Sequence, residues 1–157
     1  MIVVSDTSPI CYLLLIDQID LLQTLYSNVV IPEAVAVELS ASESPPVVKN
    51  WIAQPPIWLQ LRSIEMPQVI ALENLDLGER EAILLAQQLE ADLVILDDRA
   101  ARQVAVNRGL KVIGLLGILK DAARANRLDL ETAFKQLQEA GFWVAPSLLE
   151  QLLAEEI

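Results

Sequence analysis

Histidine is absent from this 157-residue chain, and cysteine occurs once, as Cys11. Without histidine, neither a Ser-His-Asp triad nor a histidine-based acid–base pair can form. A single cysteine excludes a disulfide within the chain and a zinc site built on His and Cys. Catalysis is therefore left to carboxylates, hydroxyls, Lys and Arg. Carboxylates are hard oxygen ligands, the kind that Mg²⁺ and Mn²⁺ prefer.

Aromatic residues and long apolar runs are also scarce. The chain is 54% hydrophobic but only 4% aromatic, so we expect a core of Leu, Ile, Val and Ala. No apolar run reaches the roughly 18 residues that a membrane span requires, and the N-terminus lacks the basic segment of a signal peptide. A lone cysteine is typical of a reducing compartment. The sequence therefore predicts a cytoplasmic protein that does not associate with membranes.

Positive charge is scarce as well, and it is unevenly distributed. The net charge of −11 argues against non-specific binding of nucleic acid. Seven of the eleven Lys and Arg residues nevertheless lie between Arg99 and Arg127, where Asp121 is the only acid. This basic segment either steers a phosphate backbone towards a site or forms ordinary solvated helix faces.

Short apolar runs alternate with helical patterns along the chain. Strands are predicted at the following positions: 2–5, 29–31, 57–61 (at a sheet edge), 93–96 and 112–113, with a small extra strand at 142–144. Helices are predicted between them, with one or two over 10–25 and three at the C-terminus, over 115–125, over 130–140 and from 147; positions 62–76 show no clear pattern. This alternation predicts an α/β domain with a parallel sheet and right-handed crossovers.

Acidic residues stand directly after two of these strands. Asp6 follows the first strand, and Asp97 and Asp98 follow the fourth. The site of a parallel α/β sheet lies at the carboxyl ends of its strands. If the two strands are neighbours, three carboxylates meet there and raise one another's pKa by repulsion. A divalent cation removes that conflict.

Three glutamates lie near the ends of predicted helices. Glu38 is about six residues past Pro32, in the second turn of the helix that follows the second strand. Glu79 and Glu81 open the helix that leads into the fourth strand. Acids in a first helical turn also stabilise the helix dipole, and Glu38 fits a solvated helix face, so each glutamate has an ordinary alternative explanation.

These acids lie in segments that resemble, in order, the PIN domain, a metal-dependent ribonuclease fold. The segments are 2–9 with its first acid and hydroxyls, 30–39, 77–83 and 93–102. The resemblance covers about residues 1–116. The Gly-Glu and Asp-Asp-Arg forms are similar to those of a bacterial and archaeal subfamily of VapC-type toxins, and the segment after Leu116 resembles the C-terminal extension of that subfamily.

The resemblance implies a three-layer, Rossmann-like domain that spans residues 1–157. Its core over about 1–116 is expected to hold a five-stranded parallel sheet in the order 3-2-1-4-5, followed by a helical extension over about 117–157. The implied activity is that of an endoribonuclease and toxin with Mg²⁺ or Mn²⁺ as cofactor and RNA as substrate. The implied partners are an antitoxin protein and a second copy of the chain, in a homodimer.

The resemblance also assigns roles to particular residues. It implies that the catalytic acids are as follows: Asp6, Glu38, Glu81 and Asp98. Glu79 and Asp97 are additional candidate metal ligands, and Glu81 is preferred to Glu79 as the third acid because it precedes Ala-Ile directly. The candidate substrate-binding residues are Thr7, Ser8, Arg99 and Arg102. Thr7 and Ser8 also fit helix capping, and the two arginines also fit ion pairs with Asp97 or Asp98.

One departure from the family pattern keeps a second function open. The usual Thr-x-Asp at the fourth acid is Leu96-Asp97-Asp98 here, so a hydroxyl is lost. The alternative is therefore a weak or inactive PIN-like module that acts through protein association. A third hypothesis is a phosphoacceptor domain that uses Asp97 or Asp98, for which Lys120 is the candidate partner.

Overall fold

Short strands alternate with helices in the computed structural model, which describes residues 1–64, 74–142 and 145–155, without the side chains of 149 and 152–155. The strands are β1 (Val3–Ser5), β2 (Val29–Pro32), β3 (Leu59–Arg62), β4 (Leu93–Ile95) and β5 (Val112–Ile113). The helices are α1 (Thr7–Leu15), α2 (Leu21–Tyr26), α3 (Glu33–Leu39), α4 (Pro46–Ala53), α5 (Leu77–Gln88), α6 (Arg99–Asn107), α7 (Leu115–Arg124), α8 (Leu130–Glu139) and α9 (Pro146–Glu155).

The strands form one parallel sheet in the order β3-β2-β1-β4-β5. Val4 of the central strand β1 is in register with Val30 of β2 and with Val94 of β4. This confirms the α/β class and the strand order that the resemblance implies, and β3 lies at an edge as predicted. The chain runs outward from β1 through β2 to β3 and then returns to the other side. The topological switch point, where α/β sheets place their sites, is therefore between β1 and β4.

Two apolar cores cover the two faces of the sheet and make the domain three-layered. Successive strand residues point to opposite faces, so a strand that is covered on both faces is mostly apolar on both. Val3 and Ile95 contribute to a core that includes buried residues of α1, α7 and α8. Val4 and Val94 contribute to the second core, which α5 and α6 complete. The predicted core of Leu, Ile, Val and Ala is confirmed by these clusters.

The helical stretch predicted over 10–25 is divided into α1 and α2. The division lies near Asp17, whose φ of 58° is left-handed and ends helical geometry. The small strand predicted at 142–144 includes positions 143 and 144, which lie outside the described residues, as do positions 65–73 of the unassigned segment. Within the described ranges, each helix is too short or too polar to cross a bilayer.

Candidate metal centre

The site begins where β1 and β4 end side by side. Ser5 is in register with Ile95, and the backbone N–H of Asp6 donates to the carbonyl oxygen of Ile95 at 3.0 Å. Asp6 and Asp97 therefore leave neighbouring strands at the switch point, as the order of the strands requires. The acids that follow these two strands come together for topological reasons.

A cavity of about 620 Å³ opens at this edge of the sheet. Its acidic wall residues are Asp6, Glu38, Asp76, Glu79, Asp97 and Asp98. The first turns of α1 form another part of the wall, and Ala140 and Phe142 of the C-terminal extension close one side. Six carboxylates from four parts of the chain thus face one solvent-accessible space: the end of β1, α3, the start of α5 and the end of β4.

Three of these carboxylates lie close enough to share one ion. Asp6, Glu38 and Asp76 each offer a carboxylate oxygen, and these atoms all lie within 4.8 Å of one another. Three negative charges at this separation repel strongly in a partly buried site. A divalent cation with oxygen ligands at 2.0–2.6 Å converts that repulsion into attraction. The separation therefore fits a metal-binding cluster.

Asp6 is the most perturbed of these acids. It occupies the N-cap position of α1, yet its side chain makes no capping hydrogen bond. The residue is 5% exposed, and among the described residues its Oδ1 has no hydrogen-bond partner. The pKa of Asp6 is raised to about 7, mainly by burial; the Thr7 backbone N–H opposes this increase, and the charges of Asp76, Glu79 and Glu38 add to it. A buried carboxylate oxygen without a partner is costly, and a bound cation would satisfy it.

Glu38 is held in place from two sides. The hydroxyl of Thr7 donates to its Oε2, and the backbone N–H of Gly78 donates to its Oε1 at 3.1 Å. A Cβ atom at Gly78 would lie 2.7 Å from both carboxylate oxygens, closer than any side chain tolerates. The glycine therefore allows the start of α5 to approach Glu38, and Thr7 acts on this acid rather than as a cap.

Asp76 and Glu79 form a capping box at the start of α5. Asp76 Oδ1 accepts the Glu79 backbone N–H at 2.8 Å, and Glu79 Oε1 accepts the Asp76 backbone N–H at 3.1 Å. Burial raises the pKa of Glu79 to about 7, opposed by that N–H and assisted by the charges of Asp76 and Asp98. Asp76 is absent from the sequence-based set, although the Asp-x-x-Glu spacing before an apolar run is a capping-box signal.

Glu81, the acid preferred from sequence, lies elsewhere. Its Oε1 accepts the backbone N–H of Ala34 at 3.0 Å, in the first turn of α3. Residues two apart on an α-helix point about 200° apart, so Glu79 and Glu81 cannot both face one cavity. Among the described residues that line the acidic cavity, Glu79 is present and Glu81 is not. The structure thus brings Glu79 to the other acids.

Asp97 and Asp98 both line the cavity but have different environments. Asp97 Oδ1 accepts the Leu115 backbone N–H at 2.7 Å, while its Oδ2 is buried and has no partner in the described part of the chain. Burial raises the pKa of Asp97, while the Leu115 N–H and the charge of Arg102 oppose the increase. Asp98 is exposed and caps α6 by accepting the Ala101 N–H at 3.0 Å. The capping alternative therefore applies to Asp98 without removing it from the cavity wall.

The remaining candidate residues divide into two groups. Ser8 lies beside Thr7 in the wall of the acidic cavity. Arg99 and Arg102 are exposed and line a separate cavity of about 430 Å³. The donor set of the acidic cavity consists of carboxylate oxygens, two of them buried and unpartnered, which suits a hard divalent cation.

Comparisons with known proteins agree with this geometry. The model of the DUF3368 family, a PIN domain, matches residues 2–156. A solved structure of a PilT N-terminus domain protein from the hyperthermophilic archaeon Sulfolobus solfataricus superimposes with a TM-score of 0.51 and 21% identity, over 82% of this chain and 95% of that one. At that identity the likeness shows the fold alone. No curated protein sequence matches the chain. Because the family match spans nearly the whole sequence, this chain belongs to the PIN-domain family.

Proposed function

We propose that this protein is a metal-dependent endoribonuclease that hydrolyses RNA phosphodiester bonds. PIN domains are generally nucleases, so membership of the family supports a nuclease activity. The observation that carries the proposal is the convergence of the Asp6, Glu38 and Asp76 carboxylate oxygens within 4.8 Å. A stable fold has no need to assemble three like charges at a solvent-accessible cavity, whereas a cation site does.

Mg²⁺ or Mn²⁺ is the proposed cofactor, held by Asp6, Glu38 and Asp76. When bound, such an ion supplies a water of lowered pKa and positive charge beside the scissile phosphate. Glu79, Asp97 and Asp98 line the same cavity and are further candidates for ligands or for proton transfer. Hydrolysis by this chemistry needs no histidine base, which agrees with a chain that has none.

The protein's own contribution is to fix the carboxylates before the ion and the substrate bind. Thr7 and Gly78 hold the two oxygens of Glu38, and the capping box with Glu79 fixes Asp76. Such supporting hydrogen bonds typically change metal affinity or activity by about 10- to 100-fold when they are removed. Thr7 lies on α1, Glu38 on α3 and Gly78 on α5, so the packing of three helices determines the site.

The direct test is RNA cleavage by the purified protein with Mg²⁺ or Mn²⁺. Cleavage is expected to require the metal and to fall at least about 100-fold in Asp6→Asn, because a ligand should matter at least as much as its supports. The matched control is Asp17→Asn, an exposed site with a left-handed φ that Asn also tolerates. Unchanged cleavage in Asp6→Asn, or none by the wild-type protein on any RNA, would contradict the proposal.

A PIN-like binding module is the second candidate, favoured by Leu96 in place of the usual hydroxyl. It predicts neither cleavage of RNA nor binding of Mn²⁺ by the clustered acids, so calorimetry with Mn²⁺ beside the RNA assay separates the two. The phosphoacceptor hypothesis has less support, because Lys120 is not among the described residues that line the acidic cavity. A mass increase after incubation with acetyl phosphate would revive it.

We further propose that the nuclease is the toxin of a toxin–antitoxin pair, similar to VapC, and that it acts in the cytoplasm as a homodimer. The four acidic segments and the PIN family membership support this proposal. Expression of the wild-type protein is expected to arrest growth, and co-expression of the neighbouring gene product to restore it. Light scattering of the purified protein tests the dimer. Growth that is equally slow with Asp6→Asn would count against a nuclease toxin.

Residues 117–157 are proposed to be an extension of the same domain and not a separate unit. Ile118, Leu119 and Phe134 are buried in the core that also contains residues of β1 and α1, and Phe142 lines the acidic cavity. Limited proteolysis is expected to spare the β5–α7 junction until the whole chain unfolds. Early release of an intact fragment that ends near residue 116 would contradict a single domain.

A further inference from the structure

The strand β3 has one side that pairs with β2 and one side that faces outwards. Val29 of β2 donates its backbone N–H to the carbonyl oxygen of Trp58 at 3.0 Å, so the main chain of Trp58 faces β2. Successive residues of a strand turn their main-chain groups to opposite sides, so those of Gln60 and Arg62 also face β2. The N–H and carbonyl groups of Leu61 therefore face outwards. Within the described part of the chain, no strand pairs with that outer side.

Exposed apolar side chains lie beside this free side of β3. Leu61 is 58% exposed, and Val37 on α3 is 69% exposed. Leu61 points to the same face of the sheet as Ser63, whose hydroxyl donates to Glu33 Oε1 at 2.7 Å. Glu33 and Val37 are four residues apart and so share one side of α3. Leu61, Val37 and the outer side of β3 therefore form one surface, which is called the β3 edge below.

Charge distinguishes the β3 edge from the rest of the chain. The net charge is −11, so most surfaces of two copies repel each other. Positions 45–64, which include α4 and β3, hold Lys49 and Arg62 and no acid. A free strand edge is a template for pairing with another strand, and monomeric proteins usually protect such edges. A second copy of this chain therefore meets the least repulsion where its own β3 edge approaches this one.

We propose that two copies of this chain pair through β3 in an antiparallel arrangement, with the two-fold axis at Leu61. The two Leu61 residues then exchange both main-chain hydrogen bonds, because these groups face outwards. Gln60 lies opposite the partner's Arg62 in a non-hydrogen-bonded pair, where side chains are closest. The amide oxygen of Gln60 accepts from that guanidinium, so the strand is complementary to itself in this register. The proposal rests on the homodimer proposed above and names its interface.

This arrangement determines where the two candidate metal centres lie. Two five-stranded sheets join into one sheet of ten strands. Because the two β3 strands run antiparallel, the carboxyl ends of one sheet lie beside the amino ends of the other. The two acidic cavities therefore open at opposite edges of the joined sheet, and each is built from one chain. Cleavage per chain is expected to be independent of dimerisation.

The test is sedimentation velocity of the full chain at a series of concentrations. One strand pair buries less than the roughly 1,200 Å² of a stable interface, so a dissociation constant between about 1 and 100 µM is expected. Leu61→Lys places two like charges opposite each other and should raise this constant at least about 10-fold. The matched control is Val106→Lys, at a 54% exposed position on α6, which contacts β5 at the other edge of the sheet. Both variants make the net charge less negative, so a non-specific charge effect would tighten both dimers.

Gln60→Glu tests the register of the two strands. It places a carboxylate opposite the partner's Arg62 twice in the dimer, and should tighten association about threefold or more. The matched control, Gln136→Glu, adds the same charge at an exposed position on α8 and should not tighten it. General repulsion between two acidic chains predicts weaker association in both variants, so the sign of the change separates the two explanations.

Equal dimer affinity in Leu61→Lys and Val106→Lys would overturn the β3 interface, and so would a Gln60→Glu dimer no tighter than that of Gln136→Glu. A wild-type protein that is monomeric at about 100 µM would overturn both the interface and the homodimer. Thermal unfolding of each variant establishes that it is folded, and Gln60→Glu keeps the test valid if Leu61→Lys does not fold.

RNA cleavage is measured on the same samples, so the interface and the nuclease can fail separately. Unchanged cleavage per chain in monomeric Leu61→Lys would support separate sites, whereas its loss together with the dimer would contradict the antiparallel arrangement. A dimer that responds to Leu61→Lys and Gln60→Glu as expected, in a protein that cleaves no RNA, would support the interface and contradict the nuclease.

Discussion

Replacement of Asp6 by Asn is expected to stabilise the metal-free protein at pH 8. Asp6 is buried, and its pKa is raised from the ordinary 3.8 to about 7. An acid whose pKa is raised by folding contributes stability below its unfolded pKa and loses that contribution as the pH rises through the folded value. Above about pH 7 the ionised carboxylate therefore destabilises the folded state. Asn has nearly the same shape as Asp but no charge, so the substitution removes this destabilisation.

The magnitude follows from the pKa change. One pKa unit corresponds to about 1.4 kcal/mol, so ionisation of Asp6 costs the metal-free fold up to about 4 kcal/mol at pH 8. The carboxamide of Asn is itself imperfectly hydrogen-bonded in this pocket, at a cost of about 1–2 kcal/mol. The net increase in the free energy of unfolding is about 2 kcal/mol, which corresponds to roughly 4–8 °C in the melting temperature of a chain of this size.

The assay is thermal unfolding of wild type, Asp6→Asn and Asp17→Asn in EDTA between pH 4 and 9. The increase in melting temperature of Asp6→Asn over wild type should be absent at pH 4 and should grow as the pH rises through 7. With Mn²⁺ in 100-fold excess over its dissociation constant, wild type should gain about 2.7 kcal/mol and overtake the variant, which gains far less. If Asp6→Asn is less stable than wild type at pH 8 in EDTA, burial and the neighbouring acids do not destabilise the ionised Asp6 carboxylate.

Further predictions concern the groups that hold or surround the cluster. Gly78→Ala should displace the Glu38 carboxylate and weaken Mn²⁺ binding about 10-fold in calorimetry; unchanged affinity would show that Glu38 is not held there. Thr7→Val should weaken Mn²⁺ binding to a similar extent, whereas Thr7→Ser, which keeps the hydroxyl, should not. Equal losses of Mn²⁺ affinity in both variants would rule out the hydroxyl as the cause. Glu79→Gln should reduce cleavage and shift its pH profile, because the pKa of Glu79 is about 7. Glu81→Gln should leave metal affinity unchanged and lower stability by about 1 kcal/mol; lost Mn²⁺ affinity in that variant would restore Glu81 as a ligand.

The sheet and the meeting of its acids are predictable from sequence because both follow from periodicity and topology. The buried strands β1 and β4 are almost entirely apolar, and Asp6, Asp97 and Asp98 follow directly where these apolar runs end. The order 3-2-1-4-5, which came from the resemblance, makes those two strands neighbours. Strand neighbours then bring the side chains together without any further information.

Which glutamate faces the acidic cavity depends on how its helix is rotated about its own axis, and the spacing of residues in the sequence does not determine that rotation. Glu79 and Glu81 both lie in the first turns of α5, and the capping box with Asp76 sets where that helix starts and which glutamate faces the cavity. Asp76 itself follows a segment without periodic pattern, so its position in space depends on tertiary structure. The role of Thr7 was likewise hidden, because its partner Glu38 is 31 residues away.

The most direct test of the metal centre is a crystal of the wild-type protein soaked in Mn²⁺ and measured at the manganese absorption edge. An anomalous peak is expected among the carboxylates of Asp6, Glu38 and Asp76, whose oxygens already lie within 4.8 Å of one another. A fully soaked crystal with no peak in this cavity, or with a peak at Glu81 instead, would contradict the assignment.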